Sequence, residues 1–86
     1  MRVRVASPMR SYTAGATTVD ADGATLAELL TDLDRRFPGL AFRIVDEQGR
    51  LRRHVVIWLG GERCRDLSTA LAGYDEVVLM QALSGG

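Results

Sequence analysis

Thr25-Leu26-Ala27-Glu28-Leu29-Leu30-Thr31-Asp32-Leu33-Asp34-Arg35-Arg36-Phe37-Pro38-Gly39 reads as one amphipathic helix with both of its ends specified. Thr25 and Glu28 have the spacing of a capping box, in which the hydroxyl accepts the Glu28 N–H and the carboxylate reaches back to an unpaired donor. Leu26, Leu29, Leu30, Leu33 and Phe37 recur at three- and four-residue intervals and form a single apolar stripe. Pro38-Gly39 ends the segment. A lone helix of this length is marginal in water, so the stripe must lie on something apolar, and the flanking sequence supplies strands.

Upstream, Arg2-Val3-Arg4-Val5-Ala6 alternates with the period of two that places Val3 and Val5 on one face. Ser7 to Gly15 reads as a loop, and the β-branched run from Ala16 to Asp20 as the returning strand of a hairpin. Downstream, Leu40 to Val45 has no clear period and Asp46-Glu47-Gln48-Gly49 is a polar turn. His54-Val55-Val56-Ile57-Trp58-Leu59 reads as a strong strand closed by Gly60-Gly61, with a short strand expected from Glu62 to Arg65. Leu67 to Leu71 suggests a brief helical turn. Gly73-Tyr74-Asp75 reads as another turn, and Glu76 to Met80 as the last strand.

The order β-β-α-β-β-β predicts an α+β fold of the β-grasp type, a mixed sheet of about five strands with one main helix packed on one face. Because the helix provides the crossover, the first and last strands can be parallel neighbours. The expected core is Leu26, Leu29, Leu30 and Leu33 against Val3, Val5, Ile57, Val77 and Leu79.

Composition narrows the function. Eighty-six residues, 47% of them hydrophobic, make one small domain with a core of its own. A net charge of zero gives no basic excess of the kind that nucleic acid or an anionic membrane attracts, so neither is expected as a partner. No apolar run approaches the roughly 20 residues of a bilayer span, and the N-terminus alternates instead of resembling a leader; a cytoplasmic location is expected. The single cysteine, Cys64, leaves neither an intramolecular disulfide nor a cysteine-built metal site, and no metal or bound cofactor is expected. All eleven basic residues are arginine. Arginine codon usage accounts for that, and so does a chemistry in which lysine amines would attack an activated acyl group.

Cys64, His54 and the serines offer no nucleophile and base pair. His54 reads as a surface residue, Cys64 as a strand side chain, and Asp32, Asp34, Asp46 and Glu47 as solvated acids. The third and last strands, however, are apolar on both faces. One helix covers Val55, Ile57, Leu59, Val77 and Leu79, which leaves Val56, Trp58, Val78 and Met80 as an exposed patch for a partner unless the 40–53 segment folds over it.

The chain closes on Gln81-Ala82-Leu83-Ser84-Gly85-Gly86. Glycines have no side chain to bury and lose the most entropy on ordering, so residues 83–86 are expected to form a flexible tail on a domain spanning 1–82. Two readings are open, a frayed end and a terminus kept free to be reached chemically. In the second, Leu83 to Gly86 would span about 13 Å when extended, enough to enter a narrow active site. The α-carboxylate, with an ordinary pKa of roughly 3.5, would need activation before it could accept a nucleophile.

A strand Asp75-Glu76-Val77-Val78-Leu79-Met80, a short spacer and a closing Ser84-Gly85-Gly86, behind a Thr25-capped helix, resemble the ubiquitin-like bacterial sulfur carriers. That family includes the small subunit of molybdopterin synthase, the thiamine-pathway carrier and the carrier of one cysteine route. From Gly49-Arg50-Leu51 through the His54 to Leu59 strand the chain is most similar to the cysteine-pathway carriers. It departs from many members in having Gln81 where they have proline, Gly60-Gly61 in place of an Asn-Gly-like turn and Tyr74-Asp75 in place of Gly-Asp.

The resemblance implies a carrier and not an enzyme. An E1-like adenylating enzyme would use ATP to activate Gly86, a sulfur donor would convert it to a thiocarboxylate, and a sulfur-accepting enzyme would take the sulfur. The acceptor would be a pyridoxal-phosphate (PLP) cysteine synthase, a thiolating biosynthetic enzyme or the molybdopterin synthase large subunit. Gly86 and Gly85 would be the reactive end, with Val56, Trp58, Val78, Met80, Leu83 and Ser84 meeting partners. The alternatives are the small subunit of molybdopterin synthase, a non-catalytic part of a heteromeric enzyme, and a ubiquitin-like protein modifier that forms isopeptide bonds.

Overall fold

The alternation in Arg2-Val3-Arg4-Val5 becomes strand β1 (Arg2–Val5), with both valines buried and both arginines exposed. The computed structural model describes residues 1–81; the tail expected at 83–86 lies outside the described residues. β1 is followed by β2 (Thr18–Asp20), α1 (Leu26–Arg36), α2 (Leu40–Ile44), β3 (Val55–Leu59), β4 (Glu62–Arg63) and β5 (Glu76–Gln81). The strands form one mixed sheet in the order β2-β1-β5-β3-β4, the β-grasp arrangement expected from the sequence.

β5 is central. It runs parallel to β1 with Val77 opposite Val3 and Leu79 opposite Val5, and antiparallel to β3 with Val77 opposite Leu59 and Leu79 opposite Ile57. Two apolar rows, Val3-Val77-Leu59 and Val5-Leu79-Ile57, therefore cross three strands on one face. Leu26, Leu29, Leu30 and Leu33 of α1 complete that core, none of them more than 3% exposed. Burial of each such leucine contributes about 1.5–3 kcal/mol.

The helix start matches the capping box, with one change. Thr25 Oγ1 accepts the Glu28 N–H at 3.3 Å, but the Glu28 carboxylate accepts from the Ala24 N–H at 3.0 Å, one residue earlier than the motif predicts. Two further N–H groups of the first turn, on Leu26 and Ala27, donate to the Thr69 and Leu67 carbonyls at 3.0 and 2.8 Å. Donors that a helix start leaves unpaired thus tie α1 to the 67–70 segment, which is a tight turn and a bridge from Ala70 to Thr25, not the expected helical turn.

Four other expectations are corrected. Ser7–Thr13 forms a 3-10 segment instead of an open loop, burying Met9 and Thr13. Leu40–Ile44 is a short second helix whose Leu40 and Ile44 enter the core on the α1 side. Asp34 positions its start by accepting the N–H of Gly39 at 3.0 Å and of Ala41 at 3.3 Å. β2 begins at Thr18, and β4 ends at Arg63.

Candidate functional site

The register assigns the open face of the sheet. Val56 lies opposite Met80, Trp58 opposite Val78 on one side and Arg63 on the other, and Arg4 opposite Val78 across β1. The sequence-predicted patch is thus brought together on one surface, at unequal depth. Met80 is 42% exposed, Trp58 and Val78 are half-buried, and Val56 is nearly closed at 9%. Segment 40–53 does not fold over this face, since Leu40 and Ile44 anchor it on the other. Arg2 and Arg4 border the face and reach Glu76 at 3.5 and 3.6 Å.

β5 ends at Gln81, directly opposite Val55 at the start of β3. The strand that precedes residues 82–86 is therefore paired with β1 as far as Leu79 and with β3 as far as Gln81, the last described residue. Leu83, Ser84, Gly85 and Gly86 lie outside them. At the other end of the sheet Trp58, Gly60, Gly61, Tyr74, Glu76 and Val78 line a shallow groove that the alternation of apolar residues did not indicate. Gly60 has φ +58°, and a Cβ there would lie 2.8 Å from the Tyr74 ring. Glycine lets the 39%-exposed tyrosine pack closely against the turn.

The remaining candidates are apart from this face or structural. His54 is exposed in the turn before β3. Cys64, half-buried beyond β4, directs its thiol to the Asp66 carbonyl at 3.5 Å and the Thr69 hydroxyl at 3.3 Å. Among the described residues no cluster of histidine, cysteine and acidic side chains could hold a metal, and no helix is long and apolar enough to cross a membrane.

Three of the four acids expected to be merely solvated, Asp32, Asp34 and Asp46, are structural instead. Asp32 accepts the Asp22 N–H at 2.8 Å and is paired with Arg35 at 2.6 Å and Arg36 at 2.8 Å. The Asp22 N–H above all, and then the Arg35 guanidinium, bring its carboxyl down to about 2. Asp46 accepts the N–H groups of Gln48 and Arg50, both at 2.9 Å, and the Arg50 N–H is the main reason its carboxyl is lowered. Spacing alone could have suggested the Asp32–Arg36 pair; the bond to Asp22 is a tertiary contact.

The sequence profile of the ThiS family matches residues 3–86. Sulfur carrier protein CysO of Mycobacterium tuberculosis is 36% identical over 93 aligned positions that span 100% of both chains. The crystal structure of Mycobacterium tuberculosis CysO superposes with a TM-score of 0.87 at 32% identity, covering 95% of this chain and 98% of that one. A chain in the crystal structure of the Amycolatopsis orientalis BexX/CysO complex gives 0.89 at 28% identity, over 99% and 98% of the two chains. SAMP1 of Haloferax volcanii gives 0.78 at 32% identity, over 99% and 97%.

Proposed function

The chain belongs to the ThiS family, close to the sulfur carriers of cysteine biosynthesis, and from that membership we propose that it carries sulfur as a thiocarboxylate on Gly86. The observation that supports this most is the full-length match to CysO, joined to a central strand, β5, that ends one residue before Leu83-Ser84-Gly85-Gly86 in the sequence. An adenylating enzyme joins the Gly86 carboxylate to the α-phosphate of ATP and pyrophosphate leaves. Sulfide from a donor then attacks the acyl carbon, AMP departs with the bonding electron pair, and a thiocarboxylate remains. Its sulfur is a stronger nucleophile than carboxylate oxygen, and its covalent attachment keeps sulfide from diffusing away. ATP and the catalytic groups belong to the partners, so the chain by itself is a substrate and not an enzyme.

The acceptor most in keeping with the CysO match is a PLP-dependent cysteine synthase; a thiolating biosynthetic enzyme and the molybdopterin synthase large subunit follow. Docking on such enzymes is the use proposed for Trp58, Val78 and Met80, and the BexX/CysO complex is a precedent for a similar chain seated on a second protein. The likeness to small archaeal modifier protein 1 favours a second reading, conjugation to lysines of other proteins. Mass spectrometry of protein purified from its native host tests both. A C-terminal peptide heavier by roughly 16 Da, oxygen exchanged for sulfur, is the expected result. Glycine-glycine remnants on lysines of other proteins, with no thiocarboxylate, would establish the modifier instead.

A further inference from the structure

A net charge of zero conceals a segregated surface. Residues 50–65 hold five of the eleven arginines and one acid, Glu62. Arg50, Arg52, Arg53, His54 and Arg65 line one open groove together with Asp46. Asp46 offsets only part of that charge, being paired with Arg50 at 3.7 Å and accepting the N–H groups of Gln48 and Arg50. Arg52 donates to the Phe42 carbonyl at 2.7 Å and lies over the Phe42 ring at 4.6 Å, and it makes no ion pair among the described residues. Arg53 and Arg65 are exposed and make no ion pair among the described residues. Crowded like charges of this kind oppose folding by self-repulsion, so fold stability does not account for them.

Their position does. Val55 pairs with Gln81, which sets Arg53 and His54 beside the point from which residue 82 continues. On the opposite flank Arg10 donates to the Val5 carbonyl at 3.0 Å and lines a groove with Arg4 and Met80. Arg4 is paired with Glu76, but Arg10 has no carboxylate partner among the described residues. Unneutralised cations thus stand on both sides of the origin of the tail.

We propose that this arginine collar binds carboxylates on the rim of the adenylating enzyme's active-site entrance, a role that rests on the sulfur-carrier reading. Protein carboxylates fit better than nucleotide phosphates. Gly86, where the nucleotide must react, is five residues beyond Gln81 and up to about 17 Å from it when extended, so the collar stays at the mouth while the chemistry happens inside. Guanidinium groups match carboxylates with paired hydrogen bonds, and complementary rims act mainly on encounter rate and orientation.

The test is ATP–pyrophosphate exchange by the host's own adenylating enzyme, measured against carrier concentration at low and high ionic strength. Arg53→Glu with Arg65→Glu is the main variant and Arg53→Gln with Arg65→Gln the neutral control, each checked by thermal melting. The expected result is a KM raised about tenfold or more by charge reversal, less by neutralisation, with kcat unchanged and the difference shrinking at high salt. An unchanged KM, or a loss indifferent to salt, overturns the collar and leaves the carrier reading intact. Absence of exchange with the unaltered chain overturns that reading and the collar with it. Saturable binding of ATP alone to the isolated chain, abolished by the double reversal, would make the groove a phosphate site and also overturn the proposal.

Discussion

Gly23 shows how one residue sets the seating of α1. A Cβ at this position would meet the amide nitrogen of Leu29 and lie 2.8 Å from the Glu28 carbonyl carbon and 2.9 Å from Leu29 Cα. All three atoms are helix backbone, and the buried Leu29 and Leu30 side chains prevent the helix from retreating. Gly23→Ala should therefore cost about 1–3 kcal/mol by overpacking, measured by urea unfolding; an unchanged midpoint would mean that the 22–24 segment lifts off freely. Asp32 fastens the same segment electrostatically. Its folded carboxyl lies near 2, below its ordinary 3.8, so its stabilising contribution is complete above that ordinary value and is lost as pH falls from 3.8 towards 2. Asp32→Asn should lower stability at neutral pH and flatten the acid limb in that window. Parallel pH profiles for the variant and the unaltered chain would sink this account.

At the scale of elements, the test of the core is Leu30→Ala. The side chain is 3% exposed and belongs to the core cluster, and its removal should cost about 2–5 kcal/mol; denaturant unfolding would show a loss of less than about 0.5 kcal/mol if the stripe faced solvent. α1 was legible because its period, cap and stop agree. α2 was not, since two core anchors, Leu40 and Ile44, are too few to establish a period, and the carboxylate that positions its start belongs to Asp34 in the preceding helix. The 67–70 turn escaped for the same reason, being defined by bonds to the α1 N-terminus. Alternation in β3 and β5 placed Val56, Trp58, Val78 and Met80 on one face but could not give their depth. Val56 shares that face with the larger Trp58 and Met80 and is nearly closed, whereas Met80 stands out beside the tail. Trp58→Ala should then weaken binding to the adenylating or the acceptor enzyme by about 2 kcal/mol or more. Calorimetry with both partners would check it, and unchanged affinity for each would remove this face from the docking surface.

Across the whole molecule, the proposed reactive end is expected to be separable from the domain. Among the described residues the core ends at Leu79 of β5, where pairing with β1 also ends, and pairing with β3 continues to Gln81. The diglycine at 85–86 lies outside the described residues and is legible as sequence alone. Deleting Gly86, or adding one alanine after it, should therefore leave the melting temperature unchanged while abolishing both the roughly 16 Da thiocarboxylate shift and sulfur transfer. Deletion removes the carbonyl that the adenylating enzyme must reach, and extension moves the terminal carboxylate about 3.3 Å from its place in an active site, when an offset of 1 Å can cost about a hundredfold in rate. A chain ending at Gly85 that still transferred sulfur at the full rate would refute Gly86 as the carrier atom's site. A shift in melting temperature without loss of transfer would instead assign the last residue to the stability of the fold.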